Sequence, residues 1–267
     1  MNIYEKLKNL KNHLQTLESV VVAYSGGVDS TFLLKVAHEV LGKDVLAVTA
    51  RSSTYPEREY LSAKNFANTN RISFQTIISE ELEVEGFAEN PTDRCYLCKT
   101  ELFSKLIDVA QKYHIKNIIE GSNIDDTGDY RPGLKAITEL GIISPLREAQ
   151  LTKEDIRYLS KEMGLPTWDK PSFACLSSRF PYGQKITVEK LTAVDRAEQL
   201  LWDLGFTQVR VRHHGDVARI EVLVEEFNKL LQNEVREQVY QRFKEFGFQY
   251  VSLDIKGYRT GSMNEVL

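Results

Sequence analysis

The sequence predicts an α/β protein: a parallel sheet with helices on both faces, followed by a smaller C-terminal α+β domain. Three observations carry this. Short β-rich apolar runs alternate with helical patterns through the first half. Periodicity then lapses across a stretch holding three prolines, "LPTWDKPSFACLSSRFPYGQK", Leu165–Lys185. Beyond it the chain reads helix, strand, strand, helix, strand.

The predicted strands of the first half are Ser19–Tyr24, Val45–Thr49, Ser73–Ile78 and Asn117–Gly121. Between them lie helical segments Thr31–Leu41, Pro56–Ala67 and Thr100–His114. Strand–helix alternation of this kind implies a parallel sheet with helices on both faces. A further helix is expected from Thr152, whose hydroxyl can cap it with Asp155 three residues on. It should end near Met163-Gly164, ahead of Pro166. Loops as long as Leu165–Lys185 tend to carry function in folded domains. After it come a helix over Val188–Leu204 and a hairpin turning at His214-Gly215-Asp216. A long helix, Glu225–Phe246, and a strand, Tyr250–Ile255, complete the pattern. The organisation expected is therefore a first domain over 1–170, a cysteine-bearing linker over 171–186 and a second domain over 187–267.

The chain of 267 residues is 42% apolar, which is ample for a packed core. Its net charge of −4 gives no basic field to attract nucleic acid. No apolar run approaches the roughly 18 residues of a membrane span. The opening Met1-Asn-Ile-Tyr-Glu-Lys6 is charged, unlike a secretory signal. Three cysteines, an odd number, do not make a disulfide framework, so a reducing cytoplasm is the expected compartment.

Ser25-Gly26-Gly27-Val28-Asp29-Ser30 sits where a buried strand hands over to a helix. That is the C-terminal edge of a parallel sheet, where α/β proteins bind ligands. Two glycines allow a tight turn, and the helix start with its hydroxyls makes an anion site. The spacing is not that of a Walker loop, and the hexapeptide holds no lysine. Glu120–Gly133, "EGSNIDDTGDYRPG", leaves the fourth predicted strand at the same edge. Asp125, Asp126 and Asp129 could hold Mg²⁺, for which oxygen ligands are suited, and Arg131 could face phosphate.

Cys95 and Cys98 stand in "DRCYLCK", and Cys175 in "FACLSSR" inside the long loop. Cys175 has Lys170, Ser177, Ser178 and Arg179 as sequence neighbours, the electropositive setting that reactive cysteines occupy. The three thiols could serve zinc, with His213 or His214 as a fourth ligand, or a [4Fe–4S] cluster with one open iron. Spacing alone leaves both open. Arg179, Arg210, Arg212 and Arg259 are candidates for binding an anionic substrate, with Arg210 and Arg212 sharing one face of a strand. Trp168 and Phe173 could stack on a ring.

The hexapeptide after an apolar strand resembles the PP-loop of the ATP pyrophosphatases. Taken with "NPTDRCYLCK", "GSNIDDTGDYRPG", "SPLRE", "KPSFACLSSRFPYG" and "VRVRHHGDVARIEV", the chain resembles the LarE-type sulfurtransferases over nearly its whole length. That resemblance implies an adenine nucleotide α-hydrolase-like fold for the first domain. It implies ATP bound by Ser25, Gly26, Gly27, Val28, Asp29, Ser30 and Asp125, with Mg²⁺. A ring carboxylate of pyridinium-3,5-biscarboxylic acid mononucleotide would be adenylylated and the acyl-AMP attacked by sulfur, giving a thiocarboxylate for the nickel-pincer cofactor. It implies Cys175 as the sulfur-handling residue. The family has two sulfur sources: a single sacrificial cysteine, or a [4Fe–4S] cluster on three cysteines. Cys95, Cys98 and Cys175 together favour the cluster. The partners implied are a carboxylase/hydrolase upstream and a nickel insertase downstream. A homo-oligomer, such as a hexamer, is implied too; neither membrane nor nucleic acid is.

Two rival enzymes remain on the residues alone. A tRNA thiolase can pair a PP-loop with three cysteines, but it needs a basic surface. An ammonia-using ATP-dependent ligase would not need Cys175. A third reading is a zinc-stabilised nucleotide-binding module without catalysis.

Overall fold

In the computed structural model, which describes residues 1–128, 132–171 and 174–265, the apolar run Val20–Ala23 is a central strand of a four-stranded sheet. The chain divides into two units: Met1–Val84 with Asp93–Phe173, and Glu85–Thr92 with Ala174–Leu267.

The first unit begins with α1 (Ile3–Leu17), β1 (Val20–Ala23), α2 (Val28–Leu41), β2 (Val45–Arg51), α3 (Glu57–Thr69) and β3 (Ser73–Ile78). It continues with α4 (Arg94–Lys112), β4 (Asn117–Ile119), α5 (Gly133–Glu139), α6 (Pro145–Glu148) and α7 (Lys153–Glu162). The strand order is β3-β2-β1-β4, and every pairing is parallel. Successive side chains of β1 point to opposite faces. Val20 and Val22 join a core with Leu10, Leu14, Phe32, Leu33 and Leu159, from α1, α2 and α7. Val21 joins a second core with Leu46, Phe103, Leu106 and Ile137, from β2, α4 and α5. Valines buried on both faces are what a central parallel strand requires, each contributing on the order of 1.5 kcal/mol or more.

The predicted strands stand in place, while several helix boundaries shift. α2 begins at Val28 rather than Thr31, with Gly27 extended at the N-cap and Asp29 in the first turn, where a carboxylate meets the positive helix end. α4 begins at Arg94 and so takes in both Cys95 and Cys98. α1 was not expected; Asn2 and Glu5 cap it reciprocally. α7 starts as Thr152 and Asp155 predict: the Asp155 N–H donates to the Thr152 Oγ1 at 3.1 Å, and the Thr152 N–H to the Asp155 carboxylate at 3.0 Å.

The second unit holds α8 (Val188–Asp203), β5 (Arg210–His214), β6 (Val217–Glu221), α9 (Phe227–Leu230), α10 (Asn233–Glu245) and β7 (Tyr250–Leu253). β5 and β6 form the expected antiparallel hairpin, and β7 adds in parallel beside β6. The helix expected over Glu225–Phe246 is broken. Gln232 is extended, with ψ 137°, which resets the helical phase. Leu230 then buries from α9, and Val239 and Phe243 bury from α10. Residues 85–92 belong to this unit although they precede α4. The Ile186 N–H donates to the Ala88 carbonyl at 2.8 Å, and the Asn90 side-chain amide to the Pro181 carbonyl at 2.7 Å. Among the described residues no helix is long and apolar enough to cross a membrane.

His213 is a core residue here. Its ring stacks on Phe180 at 5.2 Å and lies tilted against Phe248 at 5.3 Å. Burial, helped by the Lys190 charge, pushes its pKa down to about 4. The unfolded chain therefore takes up this proton first as pH falls. The neutral ring's contribution is complete above about pH 6.5 and is lost progressively towards pH 4. Unfolding midpoints measured from pH 7 down to 4 should fall, and His213→Phe should remove part of that slope; an unchanged slope would contradict the assignment.

Candidate functional site

In the first unit, the candidate site lies where β1 and β4 end. The chain leaves β1 through Ser25 and Gly26 and enters α2 at Val28. Gly26 has φ +66°, and a Cβ there would lie 3.0 Å from the Ala63 Cβ, so the turn needs glycine on both counts. The first-turn N–H groups of α2 lack helical partners by geometry and open towards the turn. Ser25 and Ser30 close it from either side, with their hydroxyls 3.0 Å apart.

β4 delivers a second loop to the same place. Gly121 runs so close to α2 that a Cβ on it would sit 3.0 Å from the Ser30 nitrogen and 3.2 Å from its Cα. Just beyond, the Asn123 side-chain amide donates to Asp29 at 3.2 Å, and its Oδ1 accepts the Asp125 N–H at 2.9 Å. Lys153, the first residue of α7, completes the arrangement. Its ammonium pairs with Asp29, and its N–H donates to the Asp125 carboxylate at 2.7 Å. The carboxylates singled out by sequence, Asp29 and Asp125, are thus brought together by two residues that sequence reasoning missed. Lys153 offered one signal, its place directly after the Thr152 cap. Asn123 offered none. Asp126 accepts the Asn123 N–H at 3.0 Å. Asp129, Arg131 and Phe173 lie outside the described residues.

Two more residues reach the turn from its carbonyl side: Tyr55, which the sequence did not single out, and Lys170, which it set beside Cys175. The Tyr55 hydroxyl donates to the Ser25 carbonyl at 2.7 Å. The Lys170 ammonium donates to the Gly26 carbonyl at 3.0 Å and pairs with Glu59 at 2.6 Å. Arg157 in turn fixes the Lys170 segment, donating to the carbonyls of Trp168 at 2.7 Å and Lys170 at 2.8 Å.

Cys95 and Cys98, three residues apart at the start of α4, share a helical face; Cys95 is exposed and Cys98 half-buried. The Cys98 thiol lies 3.8 Å from a carboxyl oxygen of Glu81. Burial pushes that carboxyl up from the usual range, with Ser52 and Thr54 hydrogen bonds partly opposing. Among the described residues no three His, Cys, Asp or Glu side chains are grouped so as to hold a metal ion.

In the second unit, half-buried Cys175 precedes a short 3-10 turn, Leu176–Arg179. Arg179, expected to face a substrate, is fully buried. Its Nε and Nη2 make a paired contact with Glu198 at 2.8 and 2.9 Å. Its Nη1 donates to the Ala174 carbonyl at 2.9 Å and to the Ser178 hydroxyl at 2.8 Å. Arg179 therefore holds the backbone around Cys175. Burial would raise the Glu198 carboxyl, but the Arg179 guanidinium outweighs it and the net shift is downward. Arg210 is buried over the Tyr258 ring at 5.3 Å, and burial together with Arg179 lowers its pKa to about 10. Arg212 donates to the Ser178 carbonyl at 3.0 Å, to Glu221 at 2.7 Å and to Ser262 at 2.9 Å. Its Nε is buried without a partner among the described residues. Arg259 pairs with Asp254 and Glu265. His213 is enclosed by rings, as above, and His214 lies on the hairpin with its pKa lowered by burial and the Arg219 charge.

A family model described as NAD synthase matches residues 2–114. The chain is 44% identical to an uncharacterised protein of Synechocystis sp. over 98% of each chain. It is 39% identical to the pyridinium-3,5-bisthiocarboxylic acid mononucleotide synthase of Lactiplantibacillus plantarum, covering 95% of this chain and 92% of that one. It is 24% identical to a chain of the glutamine-hydrolysing GMP synthase of Thermoplasma volcanium, over 61% of this chain and 56% of the relative.

Gly121→Ala tests the close approach that joins the two loops. Forcing a methyl against the Ser30 backbone should destabilise the fold by about 1–3 kcal/mol, read from urea unfolding. A variant as stable as the parent would show that β4 and α2 are not packed this tightly.

Proposed function

We infer that this chain, which belongs to the family of the pyridinium-3,5-bisthiocarboxylic acid mononucleotide synthases, is an ATP-dependent sulfurtransferase. The observation that carries the reading is the glycine turn at the head of α2, with Asp29 and Asp125 tied together beside it. Backbone donors at a helix start suit a pyrophosphate leaving group. The oxygen donors of Asp29 and Asp125 suit Mg²⁺, which would neutralise phosphate charge there.

The chemistry runs in two steps on a substrate carboxylate of pyridinium-3,5-biscarboxylic acid mononucleotide. A carboxylate oxygen attacks the α-phosphorus of ATP; the bond to the bridging oxygen breaks, and pyrophosphate leaves with its charge met by the N–H groups of the turn. A carboxylate resists nucleophiles, whereas the acyl-AMP accepts them. Sulfur then adds at the acyl carbon and AMP departs, leaving a thiocarboxylate. A second round on the other carboxylate gives the bisthiocarboxylate. Arg210, Arg212 and Arg259 are assigned to the substrate's phosphate and carboxylates, and the buried Nε of Arg212 supports this. Arg179 is assigned to holding the backbone around Cys175.

Cys95, Cys98 and Cys175, which form no metal-holding group among the described residues, would supply the three thiolates of a [4Fe–4S] cluster with one open iron. When bound, that cluster would supply sulfide repeatedly instead of consuming Cys175. The chain's place is then in nickel-pincer cofactor assembly, after a carboxylase/hydrolase and before a nickel insertase. The GMP synthase likeness keeps an ammonia-using ligase as the rival, since such a ligase shares adenylylation but needs no thiol.

Anaerobic incubation with ATP, Mg²⁺ and the pyridinium mononucleotide tests this, with mass spectrometry of substrate and protein. Sulfur gain on the substrate is expected. Cys175 keeping its sulfur supports the cluster, and its loss supports a sacrificial cysteine. Cys175→Ala should still release pyrophosphate but form no thiocarboxylate. Full turnover with ammonia in that variant would overturn the sulfurtransferase reading.

A further inference from the structure

The PP-loop of this chain is shaped from its carbonyl side, and we propose that Tyr55 and Lys170 are the positioning residues that aim its two pyrophosphate-binding N–H groups. The inference rests on the functional reading above. It names which residues set the geometry of that anion site, neither of which the hexapeptide contains.

A trans peptide unit is planar, with its C=O and N–H pointing in opposite directions. A hydrogen bond that fixes a carbonyl therefore also fixes the next residue's N–H, on the far side of the same plane. The Tyr55 hydroxyl holds the Ser25 carbonyl at 2.7 Å, so it sets the Gly26 N–H. The Lys170 ammonium holds the Gly26 carbonyl at 3.0 Å, so it sets the Gly27 N–H. Two consecutive peptide planes are thus held by their oxygens, and their nitrogens form the concave pair of donors that binds anions. Gly26 needs such restraint most. With φ +66° and no side chain, its flanking peptides otherwise rotate at little cost.

Each tether is itself secured. Lys170 is paired with Glu59 at 2.6 Å, and Arg157 grips the carbonyls of Trp168 and Lys170. The Tyr55 phenol must keep its proton to donate. Burial and the nearby Glu59 charge push its pKa well above the usual phenol range, so it does so at any working pH. Lys170 adds a positive charge behind the loop, which polarises the Gly26 peptide and strengthens its N–H end as a donor.

The sequence offers a direct readout. Ser25–Gly26 and Gly26–Gly27 are its only Ser–Gly and Gly–Gly bonds. Carbonyl-¹³C serine or glycine combined with ¹⁵N glycine therefore isolates each peptide unit by NMR. Tyr55→Phe should shift the Ser25–Gly26 unit and Lys170→Met the Gly26–Gly27 unit. Binding of inorganic pyrophosphate, measured by calorimetry, should weaken about fivefold in the first variant and about tenfold in the second, the loss of one neutral and one charged hydrogen bond. AMP, which lacks the β- and γ-phosphates, should bind all proteins alike and serves as the control for folding. Unmoved peptide resonances with pyrophosphate affinity unchanged in both variants would overturn the positioning roles while leaving the ATP reading intact. A parent protein that binds neither ATP nor pyrophosphate would instead overturn the functional reading and this inference with it.

Discussion

The parallel pairing of β1 with β4 is the constraint on which the first unit's site depends. Val20, Val21 and Val22 lie opposite Asn117, Ile118 and Ile119, so both strands end at the same edge. Their exits diverge there: β1 turns through Ser25–Gly27 into α2, and β4 runs on through Gly121 to Asp125. β1 is also the strand from which the order reverses, since β2 lies on one side and β4 on the other. Crevices at such switch points are where open α/β sheets hold ligands. Gly121 makes the junction close, with Ser30 backbone where a side chain would be. The Asn123 and Lys153 contacts to Asp29 and Asp125 become possible only at that approach.

Charge is handled differently in the two units. In the first, a loop without a cation borrows two from distant sequence: Lys153 meets Asp29, and Lys170 meets the Gly26 carbonyl. Lys153 is partly exposed, so it can pass from Asp29 to a phosphate at modest cost, whereas Lys170 is held in place by Glu59. In the second, Arg179 and Glu198 form a fully buried pair. Desolvation largely cancels the attraction of such a pair, but removing one partner strands the other and is severely destabilising. Its structural product is a fixed backbone at Ala174 and Cys175. The chain thus keeps partly exposed charge beside the glycine turn and fully buried charge behind the thiol-bearing turn.

Much of this was legible in the sequence. Valine runs bounded by polar residues marked the central strands, because a strand buried on both faces has no alternation to hide. The Gly26-Gly27 turn and the Thr152 cap were readable because each is a local backbone requirement with a narrow choice of residues. The reach of α4 back to Arg94 was not, since Cys95 and Cys98 look like loop ligands until the helix includes them. The break at Gln232 was hidden because apolar residues on either side keep a helical spacing. Tyr55, Asn123 and Lys153 were invisible, and Lys170 was read only as a neighbour of Cys175, for one reason: each acts across more than 25 residues of chain, and no spacing rule covers that distance. Arg179 misled in the opposite way. Its charge suggests a surface or a ligand, and only its burial against Glu198 reveals a structural partner.

The proposed adenylylation requires that a substrate carboxylate take AMP from ATP before sulfur arrives. Substrate labelled with ¹⁸O in its carboxylates decides this, by mass analysis of the products formed with ATP and a sulfur source. One ¹⁸O atom is expected in each AMP released, transferred when the acyl–oxygen bond breaks. AMP without label, or release of ADP and labelled phosphate in its place, would contradict it.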